Sequence, residues 1–288
     1  MKITLLGTGT PIPSLKRASS GYLIEIANDV ILLDHGPGAF QRLMEAGKTA
    51  QDVTHVFLSH LHFDHCGDLP RLFHARWDAL GGLKPGFKIY GPEGTREMID
   101  RLFGAQGAYQ RDLTARTEHP LSIGIFRGRG GSGKRPWPDT GVTEIADRSG
   151  TEGDGWKLQA FEVLHVQPYL TSFGFRITSN GKVFAFTSDV KLSGNEGPLK
   201  SLYELAQDAD VLVHYLNGFD FERRDPNVMS KQQVVASLAR DAGVKTLVTT
   251  HHGPAIDRDG VRERVIADIC EIYKGKLVWG QDLMTLTV

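Results

Sequence analysis

The stretch Ser59-His60-Leu61-His62-Phe63-Asp64-His65-Cys66-Gly67-Asp68 decides what this chain can be, because three histidines and a carboxylate fall within six consecutive positions. Buried imidazoles and carboxylates this close together are costly unless a cation collects them. Neutral imidazole and carboxylate are also the ligands that zinc, manganese and iron accept. The stretch therefore predicts a metal site, and not the packing role that a single buried histidine usually has.

The flanking sequence places this cluster on a turn between a strand and a helix. The run Val53-Thr54-His55-Val56-Phe57-Leu58 is short, apolar and rich in branched and aromatic residues, which is typical of a buried strand. After the cluster, apolar residues between Leu69 and Arg76 recur at helical spacing. Ligands and catalytic groups of α/β folds are usually displayed on such turns.

The motif His60-x-His62-x-Asp64-His65 resembles the HxHxDH signature of the metallo-β-lactamase superfamily. The resemblance implies an α/β fold, the four-layered αββα sandwich, with a metal centre between two packed sheets. The opening Leu6-Gly7-Thr8-Gly9-Thr10-Pro11 resembles the ribonuclease Z and arylsulfatase branch, and it lacks the spacing of a phosphate-binding loop. The resemblance spans nearly the whole chain, which we interpret as a single domain over residues 1–288.

The composition is that of an ordinary globular protein. The 288 residues are 40% hydrophobic and 23% charged, which is enough material for a sizeable core. A formal net charge of -1 gives no global attraction to nucleic acid or to anionic membranes. No signal peptide or membrane-spanning run is visible, and two cysteines, Cys66 and Cys270, are too few for a disulfide framework. We expect a cytoplasmic protein without a membrane partner, with a homodimer as one option.

The other site residues that the resemblance implies stand at separate strand ends. Asp34 matches the first-motif aspartate, which supports the histidine loop without binding metal, although an aspartate there could also cap a helix. His165 and Asp189 match the third-motif histidine and the aspartate that bridges both metals. His251 matches the fifth-motif histidine. His252 is the alternative ligand, because adjacent side chains on a strand point to opposite faces; otherwise it would support the site from outside the ligand shell.

The resemblance implies two ligand triads joined by one carboxylate: His60, His62 and His165 for the first ion, Asp64, His65 and His251 for the second, and Asp189 between them. Zn²⁺ is the first choice for both divalent ions, with Mn²⁺ or iron as alternatives. Two such ions lower the pKa of a shared water toward neutrality, so that a bridging hydroxide can attack an ester. Asp64 and Asp189 are therefore also expected to be catalytic residues, and the predicted reaction is hydrolysis.

The residues that would select the substrate differ from those of ribonuclease Z. That family carries a His-Glu-Ala-Thr motif whose glutamate works with a later histidine; here the matching stretches are His214-Tyr215-Leu216-Asn217 and Met229-Ser230. The long arm that grips transfer RNA is also missing, because little more than a hairpin separates His165 from Asp189. These differences favour a small-molecule ester, whether sulfate, phosphate or phosphodiester, carboxyl ester or lactone. His214 and Tyr215 are candidates for the leaving-group acid or substrate contacts, or else core residues.

Residues 119–155 show no regular pattern and are expected to form an inserted loop rich in Gly and Arg. The part from Phe126 to Pro138 combines glycines, four positive charges and aromatic residues, a composition able to hold a nucleic acid backbone. It could be a solvated excursion, a lid that lays Trp137 over the metal site, or an RNA-gripping arm from Arg127 to Arg135. Nucleic acid is disfavoured as a partner, but two alternatives stay open: a ribonuclease Z-like endonuclease that processes tRNA 3′ ends, and a non-catalytic metal-binding protein.

Overall fold

The computed structural model describes residues 1–80, 86–139, 141–191, 200–216 and 229–288. The strands are β1 (Lys2–Gly7), β2 (Gly21–Ile26), β3 (Asp29–His35), β4 (His55–Phe57), β5 (Lys88–Gly91), β6 (Val142–Glu144), β7 (Gly150–Gly153), β8 (Trp156–Val163), β9 (Ser172–Ser179), β10 (Lys182–Phe186), β11 (Val211–Tyr215), β12 (Thr246–Thr250), β13 (Lys276–Trp279) and β14 (Thr285–Thr287). The helices are α1 (Ala39–Glu45), α2 (Phe63–Cys66), α3 (Leu69–Leu80), α4 (Thr95–Phe103), α5 (Gln110–Glu118), α6 (Pro120–Gly128), α7 (Lys200–Ala206), α8 (Lys231–Asp241) and α9 (Val261–Ile272). Over these ranges no helix combines the length and apolarity needed to cross a membrane.

In the described part of the chain, two seven-stranded sheets pack face to face between two layers of helices. Their strand orders are β14-β1-β2-β3-β4-β5-β6 and β13-β12-β11-β10-β9-β8-β7. Alternating side chains of the buried strands pack into two different hydrophobic cores. In β3, Leu32 packs toward the helices, whereas Ile31 and Leu33 pack toward the opposite sheet. The second sheet repeats this division, with Leu212 on its helix side and Val213 between the sheets. The predicted αββα sandwich is confirmed.

The direction of the strands sets where the functional residues meet. β3, β4 and β5 are parallel neighbours in the first sheet, and β10, β11 and β12 are parallel neighbours in the second. The carboxyl ends of parallel strands lie at one edge of a sheet, which is where α/β folds hold their ligands. The loops after β3, β4, β10 and β12 therefore share one edge of the sandwich.

The prediction of an irregular inserted loop over residues 119–155 is wrong. His119 accepts a hydrogen bond from the Leu121 N–H at the start of α6, Pro120 occupies its first turn, and Phe126 is buried. Further on, β6 pairs with β5 at the edge of the first sheet, and β7 pairs with β8 at the edge of the second. The segment thus carries the chain from one sheet to the other.

The two residues expected to give this segment a function are instead part of its packing. Arg135 is only 3% exposed, donates to Asp78 at 3.0 Å and stacks on the Trp77 ring at 4.2 Å. Trp137 donates from Nε1 to the Phe103 carbonyl at 2.7 Å and packs against the core between the first sheet and its helices. Trp137 is therefore not free to form a lid, and Arg135 is not available to an RNA-gripping arm, because both side chains pack against the outer helices.

Arg17 ties the loop after β1 to the loop after β12. Its Nε and Nη2 donate to the two carboxylate oxygens of Asp257 at 2.8 and 2.9 Å, and Nη1 donates to the Gly280 carbonyl at 2.7 Å. The Arg17 guanidinium holds the pKa of Asp257 at about 2, below the ordinary value for an aspartate. The folded state therefore favours the charged form of this carboxylate.

We expect Asp257→Asn to lower the free energy of unfolding at pH 7 by about 1.5–3 kcal/mol, the typical worth of hydrogen bonds to a charged group. Because the pKa is depressed in the folded state, this stabilisation is complete above about pH 4 and is lost as the pH falls toward 2. Urea unfolding at pH 7 and pH 3 measures both effects. Asp259→Asn, whose side chain is 98% exposed, is the control, and equal losses from the two variants would contradict the prediction.

Candidate metal centre

All seven predicted ligands lie in one cluster at the carboxyl edge of the two sheets. They reach it from the loops after β4, β8, β10 and β12. Their ligand atoms form three overlapping groups, each with all atoms within 4.8 Å of one another: His60 with His62 and His165, His60 with His65 and Asp189, and Asp64 with His65 and His251. The fold therefore brings together side chains that are up to 191 residues apart in sequence, from His60 to His251.

The first group consists of three imidazole nitrogens. His62 Nδ1 lies 3.0 Å from His60 Nε2 and 3.2 Å from His165 Nε2. Nitrogens that bind one zinc ion at tetrahedral geometry and ordinary bond lengths stand roughly 3.3 Å apart. Burial lowers the pKa of both His60 and His165, which favours the neutral form that metals bind. The spacing and the protonation state both fit a cation.

The second group combines a carboxylate with two imidazoles. Asp64 Oδ2 lies 3.1 Å from His251 Nε2 and 3.5 Å from His65 Nε2. His65 is fully buried, yet its Nε2 has no hydrogen-bond partner. Buried polar atoms are almost always paired, so this nitrogen calls for a partner. A cation held by the group would supply it.

Asp189 lies between the two groups. Its Oδ1 is 3.4 Å from the Nε2 atoms of both His65 and His251, and its Oδ2 is 3.8 Å from His165 Nε2. Burial alone would raise the pKa of Asp189, but the neighbouring imidazoles, His251 first, hold it well below its ordinary value. A charged carboxylate that faces both groups is what a bridging ligand requires.

Asp34 supports the histidine loop from behind. It is completely buried at the end of β3, where Oδ1 accepts the Ser59 N–H at 2.8 Å and Oδ2 accepts from Ser59 Oγ at 2.9 Å and His65 Nδ1 at 2.7 Å. The bond to Nδ1 leaves Nε2 of His65 facing the cluster, as carboxylates do behind metal-bound histidines. The alternative of a helix cap does not hold, because Gly38 is the N-cap of α1.

Sequence reasoning missed two serines in this support. Ser188 Oγ donates to Ser59 Oγ at 2.7 Å, and Ser59 Oγ also lies 3.0 Å from His60 Nδ1. Their bonds join the loop after β4 to the loop after β10, so they hold the two sheets in register at the site. The available signal was position alone, since each serine directly precedes a predicted ligand.

Three strand ends at the site turn through left-handed backbone. Asp34, Ser188 and His251 have φ values of 57°, 56° and 59°, which non-glycine residues rarely adopt and which cluster at functional sites. The turn sends His251 into the cluster. His252 instead stacks on Trp279 with 3.9 Å between ring centroids, and its Nε2 lies 3.2 Å from Thr249 Oγ1. His251 is therefore the one of the two that faces the other ligands.

The two candidates for substrate contact have different surroundings. His214 is fully buried with Nδ1 2.6 Å from the Tyr215 carbonyl oxygen, and burial lowers its pKa to about 4. The Tyr215 ring borders the cluster, 4.9 Å from the ring of His251. Tyr215 is thus better placed than His214 to meet a substrate.

Two other residues were compared with ribonuclease Z. Asn217 lies outside the described residues, and Ser230 precedes α8, where its N–H donates to the side chain of Gln233.

Comparison with known proteins agrees with this arrangement. Residues 16–251 match the family model described as "Metallo-beta-lactamase superfamily". The chain belongs to that superfamily. Curated relatives include the proteins named Ribonuclease Z of Mycobacterium marinum and Mycobacterium tuberculosis H37Rv, each 31% identical over 297 residues, covering 100% of this chain and 99% or 98% of the relative. As a member of this superfamily, the chain is a metal-dependent hydrolase acting on ester bonds, as the sequence predicted.

Solved structures share its fold. The metallo-β-lactamase fold protein YhfI from Bacillus subtilis has a TM-score of 0.71 at 18% identity, covering 99% of this chain and 98% of that one. The short form of human tRNase Z has a TM-score of 0.67 at 22% identity, covering 100% of this chain and 99% of that one. At these identities the likeness concerns the fold alone.

Proposed function

We propose that this chain is a two-metal phosphodiesterase that cleaves RNA, as the name Ribonuclease Z says of its relatives. The position of Asp189, facing both ligand groups, is the observation that carries the two-metal part. End-to-end identity of 31% with proteins of that name supports the RNA part. The relatives thus favour the RNA-processing alternative over the small-molecule ester that the sequence motifs placed first.

The ligand groups name the residues that would hold each ion. His60, His62 and His165 would hold one, Asp64, His65 and His251 the other, and Asp189 would contact both. When bound, two divalent cations supply a water of lowered pKa and positive charge for the phosphate oxygens. The nitrogen-rich first group suits Zn²⁺, and the set also suits Mn²⁺ or iron.

The chain's own residues orient this centre and receive the leaving group. Asp34, which is itself hydrogen-bonded by Ser59, fixes the ring of His65, so that Nε2 faces the cluster before any substrate arrives. Tyr215 lies against His251, at the position where the ribonuclease Z motif has its glutamate. A phenol there can donate a proton to the departing oxygen, so we assign Tyr215 the leaving-group contact.

A small phosphodiester is the second candidate substrate, and two observations favour it. The described chain between His165 and Asp189 is the β9–β10 hairpin, with no room for a gripping arm. Arg135, which could have gripped RNA from elsewhere, is buried against Trp77. The chemistry at phosphorus is the same for both candidates, and only the size of the substrate differs.

The test supplies metal-loaded protein with a precursor tRNA that has a 3′ trailer and, separately, with bis(p-nitrophenyl) phosphate. We expect cleavage near the 3′ end of the tRNA, lost on adding EDTA and in His62→Ala, and retained in His119→Ala, an exposed histidine outside the cluster. Hydrolysis of the small diester without cleavage of the tRNA would move the chain to the second candidate. Metal binding without turnover of either would refute the proposed phosphodiesterase activity.

A further inference from the structure

Phe63 is an exposed aromatic ring in the middle of the metal-binding motif. Its side chain sits between His62 and Asp64 and is 72% exposed, whereas Asp64, His65 and Cys66 in the same helical turn are buried. Leaving a phenylalanine in water forfeits the free energy that its burial would give. Packing therefore does not explain an aromatic residue at this position.

One edge of the Phe63 ring lies against the helical turn that carries it. A Cβ added to Gly67 would lie 2.9 Å from Phe63 Cε2 and 2.9 Å from Pro37 Cγ, so the edge of the ring rests on the Gly67 backbone beside Pro37. This contact restricts the ring on one side, so the ring loses less freedom when a planar group stacks on it. Such preorganisation lowers the entropic cost of binding.

The ring lines a cavity of about 520 Å³, which Phe63 connects to the metal-binding motif. The loop after β1 supplies other lining residues, among them Ile12 and Leu15, which are 57% and 102% exposed. Pro11, Pro13 and Pro37 stiffen the lining, since proline fixes its own φ. A cavity of this volume is in the range of small-molecule sites.

The charged groups of this cavity are already neutralised. Arg17 is paired with Asp257 at 2.8 Å, and Arg42 is paired with Glu45 at 2.6 Å and with Asp282 at 3.2 Å. A phosphate would therefore find no uncommitted guanidinium among these two. The lining suits an uncharged, planar and largely apolar group, while the metal centre next to it suits the anion.

We propose that this cavity is a nucleobase subsite, in which the base of the nucleotide next to the scissile phosphate stacks on Phe63. Phe63 directly follows the proposed ligand His62 and directly precedes Asp64, so its Cα lies about 3.8 Å from theirs. We infer that a nucleotide whose phosphate lies at the cluster extends its base to this ring. The phosphate at the cluster and RNA as the source of the base both rest on the proposed function.

The test is calorimetric titration of metal-loaded protein with AMP and with ribose 5-phosphate, which differ by the base. The wild type should bind AMP at least about tenfold more tightly, within the range that base–aromatic stacking provides. Phe63→Ala should reduce this ratio to near one, and Phe63→Trp should preserve it. Leu121→Ala, which removes another highly exposed apolar side chain far outside the cavity lining, is the control and should leave it unchanged.

Equal affinity of the wild type for both compounds would overturn the subsite, as would a preference for AMP that survives in Phe63→Ala. Phe63→Trp keeps an aromatic ring at this position, so loss of the preference for AMP in this variant would also count against stacking. The result is separate from RNA cleavage. A preference that depends on Phe63 without tRNA processing would support the subsite and refute the RNA proposal, whereas tRNA processing without the preference would do the reverse.

Discussion

Asp189→Asn should lower kcat/KM for a phosphodiester by at least about 10³-fold, since Lewis-acid stabilisation by a metal pair is worth several kcal/mol. The substitution keeps the shape of the side chain but removes the negative charge that faces both ligand groups. Without that charge, His65, His251 and His165 would have to hold two cations with one carboxylate fewer. We therefore expect metal content to fall from two equivalents per chain toward one.

Steady-state rates on bis(p-nitrophenyl) phosphate and metal analysis of the same preparation measure both effects of Asp189→Asn. Asp154→Asn is the matched control, because Asp154 is exposed in the turn between β7 and β8. It should keep both activity and metal. An Asp189→Asn protein with full metal content and activity within tenfold of the wild type would contradict the bridging assignment.

Asp34→Ala should lower the free energy of unfolding by about 3–5 kcal/mol, the usual cost of breaking a buried charged network by removing one partner. The change leaves the Ser59 N–H, the Ser59 hydroxyl and His65 Nδ1 without their acceptor in a fully buried position. Metal affinity should also fall about 10- to 100-fold, because the ring of His65 loses the group that orients it. Urea unfolding and competition with a chelator measure these two losses.

Asp68→Ala separates the two effects of the Asp34 variant. Asp68 accepts hydrogen bonds from the Gly38 and Phe40 N–H groups at the start of α1 and has no such bond to a cluster histidine. Its removal should lower stability while leaving metal affinity unchanged. If Asp34→Ala kept wild-type metal affinity, whatever its effect on stability, Asp34 would have a structural role only.

The sequence was sufficient to predict which side chains cluster because the histidine motif and the other predicted ligands follow strands. His60, Asp189 and His251 follow the parallel strands β4, β10 and β12, whose carboxyl ends lie at one edge of each sheet. The choice between His251 and His252 could not be made in this way. It depends on the left-handed φ of 59° at His251, and no residue type in that stretch demands such a backbone.

Contacts between distant loops could not be predicted from the sequence either. Ser59 and Ser188 are 129 residues apart in sequence, and only the packing of the two sheets places their hydroxyls at hydrogen-bond distance. The loop predicted for residues 119–155 was wrong for a different reason: the irregular pattern and the glycines suggested a loop, but tertiary packing outweighed the low helix propensity of glycine. Phe126 and Arg135 both pack against the outer helices there.

Anomalous scattering from crystals of the zinc-loaded protein tests the central claim most directly. We predict two zinc peaks per chain, one among His60, His62 and His165 and one among Asp64, His65 and His251, with Asp189 contacting both. A single peak, or a second peak away from Asp189, would contradict the two-metal centre on which the proposed chemistry depends.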